Sequence, residues 1–306
     1  MALREQADVY HVHDPELLLV LLLLRICRPK SVLIFDSHEN FRRHARENVE
    51  FRWPWLRYPT AWAVVALETA ARFFCSAFVA ANPSIARNFP SDRTVEVSNF
   101  TAREQLPPRS LAEASRPAAN FVFVGRIVPE QRVHLAIKAL ALLPKSLAVQ
   151  LTIVGPAVDE AYHSYLRSLP ASERVRFVGR VAPADVAGYY TQATAAIIPI
   201  EVHGNLEDAR PNKLFECLGC GTTVILTYQK AWEQFIETPQ TGWLLRDATP
   251  KGLAQLMRTI AQSPEEVRRR GANARELIER TFNWEHEATK LTDLYDRLTA
   301  RSTAPN

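Results

Sequence analysis

The chain has 306 residues, nearly half of them apolar, which is enough for one large or two modest hydrophobic cores, and two domains are expected. Its formal charge of +4 is spread among mixed Lys, Arg, Asp and Glu with no long basic tract, which argues against a nucleic-acid partner. The four cysteines, Cys27, Cys75, Cys217 and Cys220, are too sparse for a disulfide framework, so a reducing, cytoplasmic compartment is expected.

The first apolar run, Leu17 to Cys27, is shorter than the roughly 20 residues that span a bilayer and contains Arg25, so it reads as a buried helix. Nothing after it looks like a signal-peptide cleavage site. Along the first third, strands are expected at Asp8–His11, Ser31–Asp36, Ala77–Ala81 and Thr94–Val97, with helices around Glu16–Ile26, Thr60–Phe74 and Ser84–Asn88. From Thr101 to Ala119 the composition shifts to Pro, Arg, Ser and Ala, which marks a linker. A second set of strands follows at Phe121–Gly125, Gln150–Val154, Arg176–Val178, Ala196–Ile200, Thr223–Leu226 and Trp243–Leu245, enough for a complete doubly wound domain. The tail, Pro264 to Leu298, reads as helices with charged i,i+4 pairs, broken at Thr281–Trp284. Short β-branched runs alternating with helical stretches define an α/β fold with parallel sheets.

Ligands of such sheets bind at the carboxyl ends of strands. Arg126 follows one strand and offers a planar fork of donors to a diphosphate. A polar loop, His203 to Pro211, feeds a helix that opens with Asn212 and Lys213, where free backbone N–H groups favour phosphate oxygens. Asp208 and Glu216 lie eight positions apart, allowing one carboxylate in the loop and one on the helix, and a carboxylate suits the vicinal hydroxyls of a ribose. In the first third, His11, His13 and Asp14 follow one strand while Asp36, His38 and Glu39 follow the next, and both groups are expected to face the same cleft. Three imidazoles with several carboxylates offer metal ligands, but no helical H-x-x-x-H spacing supports a site, and no metal or cofactor is expected. Cys217 and Cys220 form a lone C-x-x-C, read as small residues packing a helix end. Between Phe41 and Tyr58, five arginines interleave with Trp53 and Trp55, a mixture that suits either an interfacial surface or a solvated loop over an apolar core.

The ordered motifs HVHDPELL (His11–Leu18), FDSHE (Phe35–Glu39), NPSIARNF (Asn82–Phe89), FVFVGRIVPE (Phe121–Glu130), LTIVGP (Leu151–Pro156), VRFVGR (Val175–Arg180), RPNKLFECLGCG (Arg210–Gly221) and FNWE (Phe282–Glu285) resemble glycosyltransferase family 4. The resemblance implies a retaining GT-B enzyme of two Rossmann-like domains that takes a nucleoside diphosphate sugar without a bound metal. It places a partial acceptor-side domain over 1–105, a linker over 106–118, a nucleotide-sugar domain over 119–282 and a helix over 283–306 that packs back toward the first domain. It implies that Arg126 contacts the donor diphosphate, Glu216 holds the ribose, Asp208 lies near the donor sugar, Asn212 and Lys213 meet phosphate, and His38 lines the sugar and acceptor site, with His13, in the preceding strand's loop, a further catalytic candidate.

Two departures stand out. Where the family carries Lys five positions after the Gly-Arg arginine, this chain has Gln131, with Arg132 beside it as a substitute cation. It also opens at what resembles the fourth strand of the family's first domain, so that an incomplete domain, or one completed by another chain, is expected. The implied function is sugar transfer to a hydroxyl acceptor in polysaccharide or glycolipid assembly. A lipid-linked acceptor and peripheral contact with the inner face of a membrane are part of that reading. The alternatives are a non-catalytic or truncated subunit that binds nucleotide or a partner without turnover, and a nucleotide-sugar epimerase on the same architecture.

Overall fold

Short β-branched runs pair in parallel throughout the structure, a computed structural model that describes residues 4–40, 57–108, 119–201 and 210–303. The chain divides into two compact units, Met1–Asn99 with His203–Arg210 and Trp284–Asn306, and Phe100–Val202 with Pro211–Asn283.

The first unit contains a four-stranded sheet in the order β1 (Val9–His13), β2 (Val32–Ser37), β3 (Ala77–Ala80), β4 (Thr94–Glu96). All six residues of β2 and all four of β3 are buried, as expected for parallel strands covered on both faces. On one face, Tyr10, Leu33, Phe35 and Phe78 pack with Leu18, Leu21 and Leu24 of α1 (Leu18–Cys27) and with Ala71 and Phe74 of α2 (Arg57–Phe74). On the other, Val32, Ile34, Ala77 and Val79 pack with Leu291 and Leu294 of the last helix, which belongs to this unit. The expected helix start at Glu16 is instead a 3-10 turn, Pro15–Leu17, because Asp14 is left-handed with φ 65° and Pro15 fixes the next residue. The short α3 (Pro83–Ala86) is capped by Asn82, whose Oδ1 accepts from the amides of Ser84 and Ile85.

The second unit contains a six-stranded parallel sheet of β5 (Asn120–Val124), β6 (Gln150–Val154), β7 (Val175–Gly179), β8 (Ala195–Ile198), β9 (Thr223–Thr227) and β10 (Gly242–Leu245). Their spatial order is β10-β9-β8-β5-β6-β7, the doubly wound arrangement in which chain order reverses between β5 and β8. The connecting helices are α4 (Val133–Ala141), α5 (Glu160–Ser168), α6 (Val186–Thr191), α7 (Asn212–Gly219), α8 (Glu233–Ile236) and α9 (Pro250–Ala261). Phe121, Phe123, Leu151 and Ile153 form the core with Leu135, Leu140, Leu166 and Met257. Then α10 (Pro264–Arg280) ends at Thr281, and α11 (Trp284–Thr303) begins after the expected break. Asn283 holds that break by donating its side-chain amide to the carbonyls of Ile278 and Glu279.

Among the described residues, no helix is long and apolar enough to cross a membrane. Cys217 and Cys220 are both buried, as is Cys75, while Cys27 is exposed.

Candidate functional site

In the second unit the chain order reverses between β5 and β8, and it is at the carboxyl ends of strands beside such a reversal that open α/β sheets bind ligands. The backbone there requires glycine. Gly125, after β5, has φ +144° and Gly155, after β6, has φ +140°. A Cβ on Gly155 would sit 1.9 Å from the Gly125 carbonyl oxygen, and one on Gly125 would sit 2.7 Å from Lys213 Nζ. Gly155 must therefore stay bare against the Gly125 backbone, while a side chain at Gly125 would make the Lys213 head shift.

Lys213 and Glu216 are three residues apart on α7 and so share a helix face. Leu214, Phe215, Cys217 and Leu218 bury the remaining surface of that helix. The Lys213 ammonium lies over the Phe123 ring, 5.0 Å from its centroid, and donates a 2.6 Å hydrogen bond to Gln131 Oε1. Burial pulls the Lys213 pKa down from 10.5 to about 8; the Glu216 carboxylate opposes that shift and the Arg126 guanidinium adds to it. Burial raises the Glu216 pKa, and Lys213 partly offsets this. Arg126 itself is exposed.

Glu216 also lines a cavity of about 540 Å³ whose wall is mainly apolar, with Pro183, Val186 and Tyr190 and the polar Thr101 and Gln105 among its lining residues. A carboxylate at the rim of an apolar slot, next to two cations and the amino end of α7, can hold a ribose, seat a flat base and receive phosphates.

The remaining donor-side candidates lie nearby in sequence but differ in orientation. Asn212 is exposed at the start of α7, behind Pro211. Arg132 is left-handed, with φ 48°, and its Nη2 donates to the Ala248 carbonyl at 3.0 Å. The cation at the tip of the Gln131 side chain is therefore Lys213 from α7. Asp208 lies outside the described residues, as do Trp53, Trp55 and the arginines from 42 to 52.

The first unit gathers a second cluster. Residues i and i+2 of a strand point the same way, so His11 and His13 share a face of β1, and His13 lies opposite Asp36 of β2 in the parallel register. Asp36 Oδ2 is 3.3 Å from His11 Nε2, 3.4 Å from His13 Nδ1 and 3.6 Å from His38 Nε2. His13 Nδ1 and His38 Nε2 share a 2.8 Å hydrogen bond, and the three rings stack in series with centroids 5.0 Å apart. His11 Nδ1 shares a hydrogen bond with the Tyr295 hydroxyl of α11. His11, His13, Asp36 and His38 thus meet, as expected of residues facing one cleft, and Tyr295 of α11 joins them, a contact that the sequence motifs did not suggest.

Comparison with known proteins gives the setting. Glycogen synthase of Mycobacterium tuberculosis (strain CDC 1551 / Oshkosh) is 27% identical over 187 residues, covering 58% of this chain and 42% of that protein. The chain spans less than half the length of that relative, and 48% of the spore coat protein SA of Bacillus subtilis, to which it is 23% identical over 185 residues. Among solved structures, sucrose-phosphate synthase from Thermosynechococcus elongatus superposes with a TM-score of 0.74 at 20% identity, covering 96% of this chain and 74% of that one. HepE from Anabaena in complex with UDP superposes with a TM-score of 0.72 at 16% identity, covering 95% and 79%. The fold is thus α/β with parallel, Rossmann-like sheets, as in GT-B glycosyltransferase structures. The family model for glycosyl transferases group 1 matches residues 113–277, more than half of the sequence, and the chain belongs to that family.

Proposed function

We propose that this protein transfers a sugar from a nucleoside diphosphate sugar to a hydroxyl acceptor, with retention of anomeric configuration and without a metal in the donor site. The observation that carries the reading is the grouping of Lys213, Arg126 and Glu216 around the strand-order reversal of the second unit, beside the 540 Å³ cavity. The UDP and UDP-glucose in the solved HepE complexes support a nucleotide donor.

In this reading the base enters the cavity, Glu216 accepts from the ribose hydroxyls, and Arg126 and Lys213 face the diphosphate. The anomeric carbon–oxygen bond to the diphosphate breaks, the acceptor oxygen bonds to the same carbon, and the acceptor proton leaves with the nucleoside diphosphate. The two cations stabilise the negative charge that develops on the leaving oxygen. His38, His13 and Asp208 take the sugar and acceptor roles that the family resemblance implies, and Asn212 and Arg132 the supporting contacts near phosphate.

Polysaccharide or glycolipid assembly in the cytoplasm is the setting we propose, with a lipid-linked acceptor among the candidates. In the first unit, β1 is an outer strand and α1 exposes Leu19, Leu22, Leu23 and Ile26 as one stripe. That stripe supports a polypeptide partner on this side, and vesicle flotation separates it from a membrane surface.

The test is product analysis by mass spectrometry with a panel of donors and acceptors. The wild-type chain is expected to form a glycosylated product, and Arg126→Ala and Glu216→Ala to lose it. Nucleotide binding with no product from any donor would favour the non-catalytic subunit, and unchanged transfer by both variants would overturn the site.

A further inference from the structure

The cavity beside Glu216 is lined in part by the segment through which the chain enters the second unit. Thr101, Gln105 and Leu106 of that segment border it together with Glu216 and Cys220. Arg103–Gln105 forms one 3-10 turn, in which the Leu106 amide donates to the Arg103 carbonyl at 3.1 Å. Leu106 then rests on the backbone of α7, where a Cβ on Gly219 would sit 2.5 Å from Leu106 Cδ2. The next residue is fastened as well. Arg275 of α10 is buried, and its Nη1 donates to the Pro107 carbonyl at 2.9 Å and to the Gly219 carbonyl at 2.7 Å, while its Nε donates to Glu279 at 2.6 Å. Charge-assisted bonds from one guanidinium to both segments staple the entering segment to the end of α7. Gln105, two residues before Pro107, is therefore held at the cavity while its side chain stays exposed.

We propose, resting on the nucleotide-donor reading above, that Gln105 reads the edge of the donor base and that the cavity selects uracil over the purines. A side-chain amide carries one acceptor oxygen and one donor nitrogen side by side. Uracil answers with N3–H beside O4, so a single amide satisfies both groups. Its O2, on the other flank of N3–H, takes the Thr101 hydroxyl as donor. Guanine offers the same pairing at N1–H and O6 but carries a 2-amino group where uracil has O2. Glu216 is the only carboxylate among the described residues that line the cavity, and in the donor reading the ribose hydroxyls engage it. The Thr101 hydroxyl is left to accept one hydrogen of that amino group, and the other meets a mainly apolar wall. A donor desolvated without a partner costs affinity. Adenine places a C–H there and leaves the Thr101 hydroxyl unpaired. Selectivity then comes from the group left without a partner in the wrong ligand.

A carboxylate in place of the amide inverts this chemistry. It has acceptors only, so it faces the uracil O4 without a donor, yet it accepts from both N1–H and the 2-amino group of guanine. Gln105→Glu is thus a change of preference and not a simple loss, and a disturbed cavity wall cannot imitate it.

The experiment is calorimetric titration of the whole chain with UDP, GDP and ADP, repeated on Gln105→Ala and Gln105→Glu. The wild-type chain is expected to bind UDP about 10-fold or more tightly than GDP. Gln105→Ala is expected to weaken UDP about 10-fold and to narrow the difference, and Gln105→Glu to bind GDP more tightly than UDP. Gln105 is exposed, so both variants are expected to fold, which circular dichroism checks. A wild-type preference for GDP or ADP over UDP, or a UDP-to-GDP ratio that is the same in all three chains, would overturn the assignment of Gln105 and leave the donor site standing. Failure of all three nucleotides to bind the wild-type chain would overturn the donor reading itself, and the assignment with it.

Discussion

Lys213 Nζ donates a 2.6 Å hydrogen bond to Gln131 Oε1, so the side chain at the position where the family resemblance implies a lysine holds a cation supplied by another element. Lys213→Met is expected to weaken binding of a nucleoside diphosphate by about 10- to 100-fold, the worth of a hydrogen bond to a charged group, and to change nucleoside binding little. Parallel calorimetric titrations with the two ligands read the difference. Equal losses for both would indicate a collapsed pocket instead of a missing phosphate contact.

The depressed Lys213 pKa, about 8, sets a pH dependence with a definite sign. Phosphate binding needs the ammonium, so affinity is expected to be level below about pH 8 and to fall above it. Stability moves the opposite way. Between the folded value of about 8 and the ordinary value of 10.5 the unfolded chain binds more protons, so stability rises with pH across that window, by up to about 3 kcal/mol. Urea unfolding at pH 7 and pH 9.5 measures this, and the part due to Lys213 is expected to be absent in Lys213→Met.

Glu216 borders the cavity, and its role as a ribose acceptor makes a selective prediction. Glu216→Gln is expected to weaken a nucleoside diphosphate about 10- to 100-fold but to leave a 2′,3′-dideoxy analogue nearly unaffected. Competition binding with both compounds tests it. An equal effect on the analogue would place Glu216 away from the ribose.

Two glycines separate strain from mere exposure. Gly155→Ala puts a methyl 1.9 Å from a backbone oxygen at a φ of +140°, and a loss of several kcal/mol is expected, visible as a large fall in Tm. Gly188 lies within α6 with nothing within 4 Å of its Cβ position, and Gly188→Ala is expected to gain about 0.5–1 kcal/mol.

The strands were legible because parallel sheets bury both faces: Gln150–Val154 matches its expected bounds, and every other strand lies within two residues of them. Helix starts were less so. Pro83 opens α3 one residue early because Asn82 caps it, and Asp14 with Pro15 delays α1. The Arg126, Lys213 and Glu216 candidates were readable from a loop after one strand and a helix start after another, but Lys213 reaching Gln131 beside Gly125 is a contact between distant segments that no local pattern encodes. The histidine cluster is legible in part: His11 and His13 follow the two-residue period of β1 and were expected in one cleft with Asp36 and His38, but how closely they meet depends on the register of β1 against β2, which no local pattern encodes.

The most direct test of the donor-site assignment is calorimetric titration of the intact chain with UDP, GDP and ADP. One nucleoside diphosphate is expected to bind at one equivalent, and Arg126→Ala to weaken it about 10- to 100-fold. Failure of all three to bind, or binding untouched by Arg126→Ala, would contradict the placement of a nucleotide-sugar donor at the carboxyl end of β5.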